Sequence, residues 1–179
     1  MEETRMNNRD LATRTRRLPL AAAALPLLLM ACASQDLSLP TGADVETAYE
    51  YQGQLEAEMK GNVAEITVYQ PNRQLSRGGS LWAKVGPYIF LFSGETQSLF
   101  AAYGGLAAIR VVTKAPGGRE VARAMLPRDA LNDITWKRAL RVSGLARRDG
   151  SKSPSRVEDL VRFGEDLTEF EYSARYVRR

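Results

Sequence analysis

Residues 47–70 read TAYEYQGQLEAEMKGNVAEITVYQ, and this stretch decides the fold class. Tyr49, Tyr51, Gly53, Leu55, Ala57 and Met59 share one side of a two-residue period, while Glu50, Gln52, Gln54, Glu56, Glu58 and Lys60 share the other. Such alternation predicts a half-buried strand over 47–60, with a bend at Gly53. Gly61-Asn62 is a two-residue hairpin signal, so Val63–Gln70 is the expected antiparallel partner.

Working outward, Pro71–Gly79 reads as a loop. Ser80–Val85 and Tyr88–Phe92 read as strands, the second apolar on both faces and so central. Thr96–Tyr103 carries a helical stripe (Leu99, Phe100, Tyr103) stopped by Gly104-Gly105. Ala107–Thr113 and Arg119–Leu126 form a second hairpin across Ala115-Pro116-Gly117-Gly118. A helix is expected from near Asp129 to Gly144, although Trp136, Leu140, Val142 and Ala146 also fit period two. Ser155-Arg156-Val157-Glu158 matches a capping box opening a helix through Phe163. Phe170, Tyr172, Ala174 and Tyr176 alternate with Glu169, Glu171, Ser173 and Arg175 in a last strand. The expected architecture is α+β: a curved, mainly antiparallel sheet of six or seven strands with two or three short helices on one face, or alternatively a small closed β-barrel.

Composition narrows the chemistry. The chain has 179 residues, 44% of them hydrophobic and 26% charged, a net charge of +4, one cysteine and no histidine. Without histidine there is no Ser/His/Asp or Cys/His triad and no usual nitrogen-ligand zinc site. One thiol supports neither an internal disulfide nor structural zinc, and neither metal nor cofactor is expected.

The N-terminus has an address. Arg5, Arg9, Arg14, Arg16 and Arg17 precede a run of fourteen uncharged residues, Leu18–Ala31. As a helix this run would reach about 21 Å, short of the roughly 30 Å of a hydrocarbon core, and Pro19 and Pro26 weaken it further. A basic head, an apolar middle and a small-residue exit form a secretory signal. The run ends in Leu29-Met30-Ala31-Cys32, which resembles the lipobox of bacterial lipoprotein precursors. The resemblance rests on Leu29, Ala31 and Cys32, covers about the first 35 residues, and touches nothing of the mature domain. It implies a diacylglyceryl group on the Cys32 thiol, cleavage before it and acylation of the new amino end. Ala33-Ser34, with no Asp after the cysteine, implies sorting to the outer membrane. Arg16-Arg17 leaves twin-arginine export open beside the general route, and Met6 is an alternative start.

The expected domains are therefore a signal peptide (1–31), an acylated Cys32 with a flexible tether (32–46) and one α+β domain (47–179). Removing residues 1–31 takes away five positive and three negative charges and leaves +2. That is too little to argue for nucleic acid as a partner.

Within the domain, Glu56 with Glu58 and Glu169 with Glu171 lie near a glycosidase separation but on solvated strand faces, where nothing raises a carboxyl pKa. Ser80 and Lys84 would be about 13 Å apart in a strand, too far for a dyad. Lys137–Arg156 carries a net +6 that could meet anionic lipid headgroups or the acidic surface of a partner, but Glu158–Glu171 carries a net −5, so the two segments are expected to neutralise one another. Tyr49, Tyr51, Phe170, Tyr172 and Tyr176 would meet if the first and last strands are neighbours, either as core packing or as a groove for an apolar ligand. The expected function is non-enzymatic: a membrane-anchored envelope lipoprotein, facing the periplasm, with an interaction or assembly role and a protein partner. The alternatives are a carrier with a tyrosine-lined groove and a hydrolase working through carboxylates alone.

Overall fold

The computed structural model describes residues 37–177, which are α+β. The signal, the lipobox residues Leu29, Ala31 and Cys32, and the tether as far as residue 36 lie outside the described residues.

The hairpin read from period two is present, but shorter than expected: β1 (Leu55–Lys60) pairs antiparallel with β2 (Val63–Tyr69) across Gly61. Residues 42–49 belong instead to α1 (Gly42–Tyr49). A capping box decides this: the Thr41 hydroxyl accepts the Asp44 N–H at 3.2 Å, and the Asp44 carboxylate accepts the Thr41 N–H at 2.8 Å. Val45 and Tyr49, one turn apart, are buried, and Glu50 in the left-handed region ends the helix. The tether reading is thus corrected over 38–46, where Ser38 already receives the Gly105 N–H on its carbonyl at 3.0 Å.

The loop expected over 71–79 and the two strands expected over 80–92 are corrected as well: together they are α2 (Asn72–Leu91). Gly79, at φ 61°, kinks the helix, a backbone state that glycine reaches without the Cβ penalty of other residues. The apolar run Tyr88–Phe92 is helical because it is covered on nearly every side, with Tyr88, Leu91 and Phe92 at or near zero exposure. α3 (Gly94–Ala102) follows, capped by the Ser93 hydroxyl.

The second hairpin, β3 (Ala108–Lys114) with β4 (Glu120–Pro127), stands where the sequence placed it. A single 3-10 turn (Arg128–Ala130) leads to α4 (Asp133–Asp149), capped by Asn132 and continuing through Gly144 instead of stopping there. α5 (Pro154–Glu165) starts two residues ahead of the expected box: Ser153 is the N-cap, proline takes the first turn, and the Ser155 box is not the cap. β5 (Glu169–Tyr172) is four residues long, and Tyr176 sits beyond it on α6 (Ala174–Val177).

Among the described residues there are five strands, ordered β1-β2-β3-β4-β5. Three pairings are antiparallel and the central β2–β3 pairing is parallel, so the sheet is mixed. β1 and β5 are opposite edges; the sheet is open, not a barrel, and the helices among the described residues number six, not two or three. One face, built from Ala57, Ile66, Val111 and Ala124 and their row neighbours, packs into the core. α2 lies on β3 and β4, α5 on α2, and α4 on α5, while α1 covers β1.

Candidate functional site

The five aromatics named from the sequence do not form one wall. Tyr49 leaves the sheet for α1, where its hydroxyl lies 2.5 Å from that of Thr96; Tyr51 packs edge-on against Phe90, with centroids 5.3 Å apart. At the opposite sheet edge, Phe170 and Tyr172 pack on each other at 5.0 Å, and Tyr176 joins Ala83, Ala115 and Val121 in a small second cluster. Sheet order separates the two groups, because the first and last strands are not neighbours.

Tyr172 instead belongs to a cluster that sequence reading missed. Its hydroxyl lies 2.6 Å from that of Tyr88 on α2, Lys84 Nζ sits 4.9 Å above its ring, and Lys84 pairs with Glu165 at 3.3 Å. Ser80 and Lys84 are one helical turn apart, so the strand separation of about 13 Å does not apply. Lys84 turns to Glu165 and the Tyr172 ring, tying α2 to the end of α5 and to the last strand. The signal for this set was the helical period of Lys84 and Tyr88, visible only once 80–92 is taken as helix.

The phenols of the cluster are held neutral. Burial pushes Tyr88 up from 10.0 to about 12, partly offset by the Tyr172 hydroxyl; burial, then the hydrogen bond with Tyr88, pushes Tyr172 up as well. A folded-state pKa above the unfolded one gives stability that is complete below pH 10 and lost as pH climbs toward 12. Alkaline unfolding followed together with phenolate absorbance should therefore show a late tyrosine step coincident with loss of structure. Tyr172→Phe removes the hydroxyl that steadies the Tyr88 phenolate, so the Tyr88 step should move higher still.

The uncovered sheet face carries an extended charged arrangement. Glu58, Glu65, Arg110, Met125 and Glu169 form one row across all five strands; Glu56, Thr67, Val112, Arg123 and Glu171 form the next. Lys60 pairs with Glu58 at 2.9 Å and Glu65 at 2.5 Å, Arg110 pairs with Glu65 at 3.0 Å, and Arg123 pairs with Glu171. Burial pushes the Glu65 carboxyl up, but hydrogen bonds from Lys60 and Arg110 outweigh it and hold the group below the usual range. Two depressions open on this face, about 370 Å³ beside Arg110, Arg123 and Phe170, and about 420 Å³ beside Glu56, Glu58 and Lys114. Glu56 and Glu58 are exposed, as the alternation predicts, and so are Glu169 and Glu171.

The neutralisation expected between Lys137–Arg156 and Glu158–Glu171 is not made by direct pairs. Glu165 goes to Lys84 and Glu171 to Arg123, while Arg148 pairs with its neighbour Asp149 at 2.9 Å. Arg138 comes nearest, over the Phe163 ring at 5.2 Å, beside a depression it shares with Asp159, Arg162 and Asp166. Compared with family models, curated proteins and solved structures, the chain gives no match.

Proposed function

We propose that the chain is an envelope lipoprotein, held through acylated Cys32 and sorted to the outer membrane facing the periplasm, whose domain works without catalysis as an interaction or assembly component. The observation that carries this reading is Leu29-Met30-Ala31-Cys32 at the end of a fourteen-residue apolar run, with the only thiol of the chain at the position acylation requires. Two or three acyl chains, each burying methylenes at about 0.8 kcal/mol, make an anchor that one chain does not. The domain offers the extended charged sheet face as a surface for an envelope partner.

Cys32→Ser tests the anchor directly. In cells fed labelled fatty acid, the unaltered protein should take up label and fractionate with membranes; the variant should lose both. Mass analysis of the mature chain should show an N-terminus at Cys32 carrying lipid. A chain that begins elsewhere, or a wild-type protein without label, would overturn the reading.

A further inference from the structure

The outer helix α4 has two opposed faces. Trp136, Ala139, Ser143 and Ala146 are buried. On the other side, Ile134, Lys137, Arg141, Gly144 and Arg148 fall at successive intervals of three or four residues and form one exposed stripe, flanked by the exposed Arg138 and Arg147. Among the described residues, Lys137, Arg141 and Arg147 make no ion pair within 4.0 Å; Asp133 and Asp149 stand only at the two ends of the helix. A surface of this kind attracts anions.

The aliphatic residues in and near the stripe narrow the class of anion. Ile134 is 79% exposed at its head, and Leu37 and Leu39 are 71% and 45% exposed. A chain of contacts ties the segment that carries Leu37 and Leu39 to the buried side of the start of α4. The Ser38 carbonyl holds the Gly105 N–H; Arg128 joins the Leu106, Tyr103 and Phe100 carbonyls; the Phe100 ring lies 6.4 Å from that of Trp136, two residues from Ile134. Cations with a bare isoleucine on the same stripe suit an interface of headgroups above acyl chains, whereas an acidic peptide or a nucleic acid needs no exposed isoleucine. From the segment of Leu37 and Leu39 the chain leaves for Cys32. Five residues lie between Cys32 and Ser38, and even fully extended the six Cα steps reach only about 21 Å.

We propose that the exposed face of α4, with Ile134 at its head, Lys137 and Arg141 along it and Arg147 at its flank, rests on the anionic phospholipid surface of the membrane that holds the chain. The inference rests on the anchor reading and adds an orientation to it: α4 faces lipid, and the open sheet face points toward partners. With the anchor fixing the distance, the contact is made at high effective concentration and is strengthened accordingly, while the α4 face keeps a weaker, salt-sensitive affinity of its own.

The test places one reporter on each face of the intact protein. Gly144→Cys is suited to it, since a Cβ there meets open space; Glu56→Cys on the sheet face is the control. An acylated Cys32 does not react, so a polarity-sensitive dye enters at one site. In vesicles of phosphatidylglycerol and phosphatidylcholine, the dye at position 144 should shift to the blue and be quenched by a lipid-soluble quencher, and the dye at position 56 should not. High salt should reverse the effect, Lys137→Glu with Arg141→Glu should weaken it at least about ten-fold, and Arg141→Lys should keep it. Equal response at positions 144 and 56, or a response at 144 to soluble polyglutamate and not to lipid, would overturn the proposal, the latter in favour of an acidic protein partner. Labelling at two thiols would instead report an unacylated Cys32 and the failure of the anchor reading. The same measurement on the Cys32→Ser background then still decides the fate of the α4 face, through salt-sensitive binding to anionic vesicles.

Discussion

Replacing Gly164 with alanine is expected to cost about 3 kcal/mol, because the added methyl has nowhere to go. Its Cβ would lie against Cδ1 of Tyr88, 2.5 Å from Cε1 and 2.6 Å from Cγ of the same ring. That ring is fully buried and fixed from two sides: it stacks on Phe92 with centroids 6.1 Å apart, and its hydroxyl meets that of Tyr172 at 2.6 Å. Moving it aside would spend one contact to relieve another, in an interior packed too densely to absorb the shift. The denaturant midpoint should fall with its slope unchanged, the sign of lost stability without a change in compactness. Gly144→Ala is the matched control: it lies on an exposed helical surface with open space at Cβ, so alanine should stabilise there by up to about 1 kcal/mol through helix propensity. Tyr88→Leu should cost less on the Gly164→Ala background than alone, since it removes the ring that clashes. A Gly164→Ala midpoint equal to that of the unaltered chain would mean that α2 and α5 do not approach this closely.

The α2–α5 contact is also where sequence reading failed, and the reason is physical. Gly78-Gly79 and Gly86-Pro87 are the strongest breakers in the chain, so 71–92 divided naturally into a loop and two strands. Helix overrode them because Gly79 supplies a kink in place of an end, and because burying Val85, Tyr88, Leu91 and Phe92 together outweighs the cost of an internal proline. A short apolar run does not declare its period; only its surroundings do. By contrast, the two hairpins were readable since each pairs a local turn signal with a clear face, as in Leu55–Lys60 against Val63–Tyr69.

At the N-terminal boundary the same two-residue alternation misled. Val45 and Tyr49 also fit a helical spacing, and Thr41-Gly-Ala-Asp44 was the cap that should have decided between the periods. The error carried into the candidate site, for it set Tyr49 and Tyr51 on a strand beside Tyr172. The Lys84, Tyr88, Glu165 and Tyr172 cluster stayed invisible for a different reason: its members come from α2, α5 and β5, and no short-range pattern links them. Charge reading fared better in part. The +6 segment was visible as a run, but that its acids of the next segment would pair elsewhere depended on tertiary placement.

Arg128 should be the second costly position, with Arg128→Ala losing about 3 to 4 kcal/mol, because the side chain satisfies three carbonyls at once. Its Nε donates to Leu106 O at 2.6 Å, Nη1 to Phe100 O at 2.6 Å, and Nη2 to Tyr103 O, while the guanidinium lies 5.1 Å from the Phe100 ring centroid. The Phe100 carbonyl belongs to the last turn of α3, where the dipole favours a cation and no further turn supplies an N–H. Alanine would leave the Leu106 and Phe100 carbonyls to water in a half-buried corner, with Tyr103 O keeping only the Leu106 N–H, and uncouple α3 from the end of β4. Lysine carries the charge but has no planar fork, so Arg128→Lys should recover less than half of the loss. Because α3 caps the end of the domain from which Ser38 runs toward Cys32, hydrogen exchange should quicken first in 94–106 and only later in β2 and β3. Uniform quickening across the sheet would instead show that Arg128 supports the fold as a whole. An Arg128→Ala protein as stable as its parent would show that water replaces the guanidinium without loss.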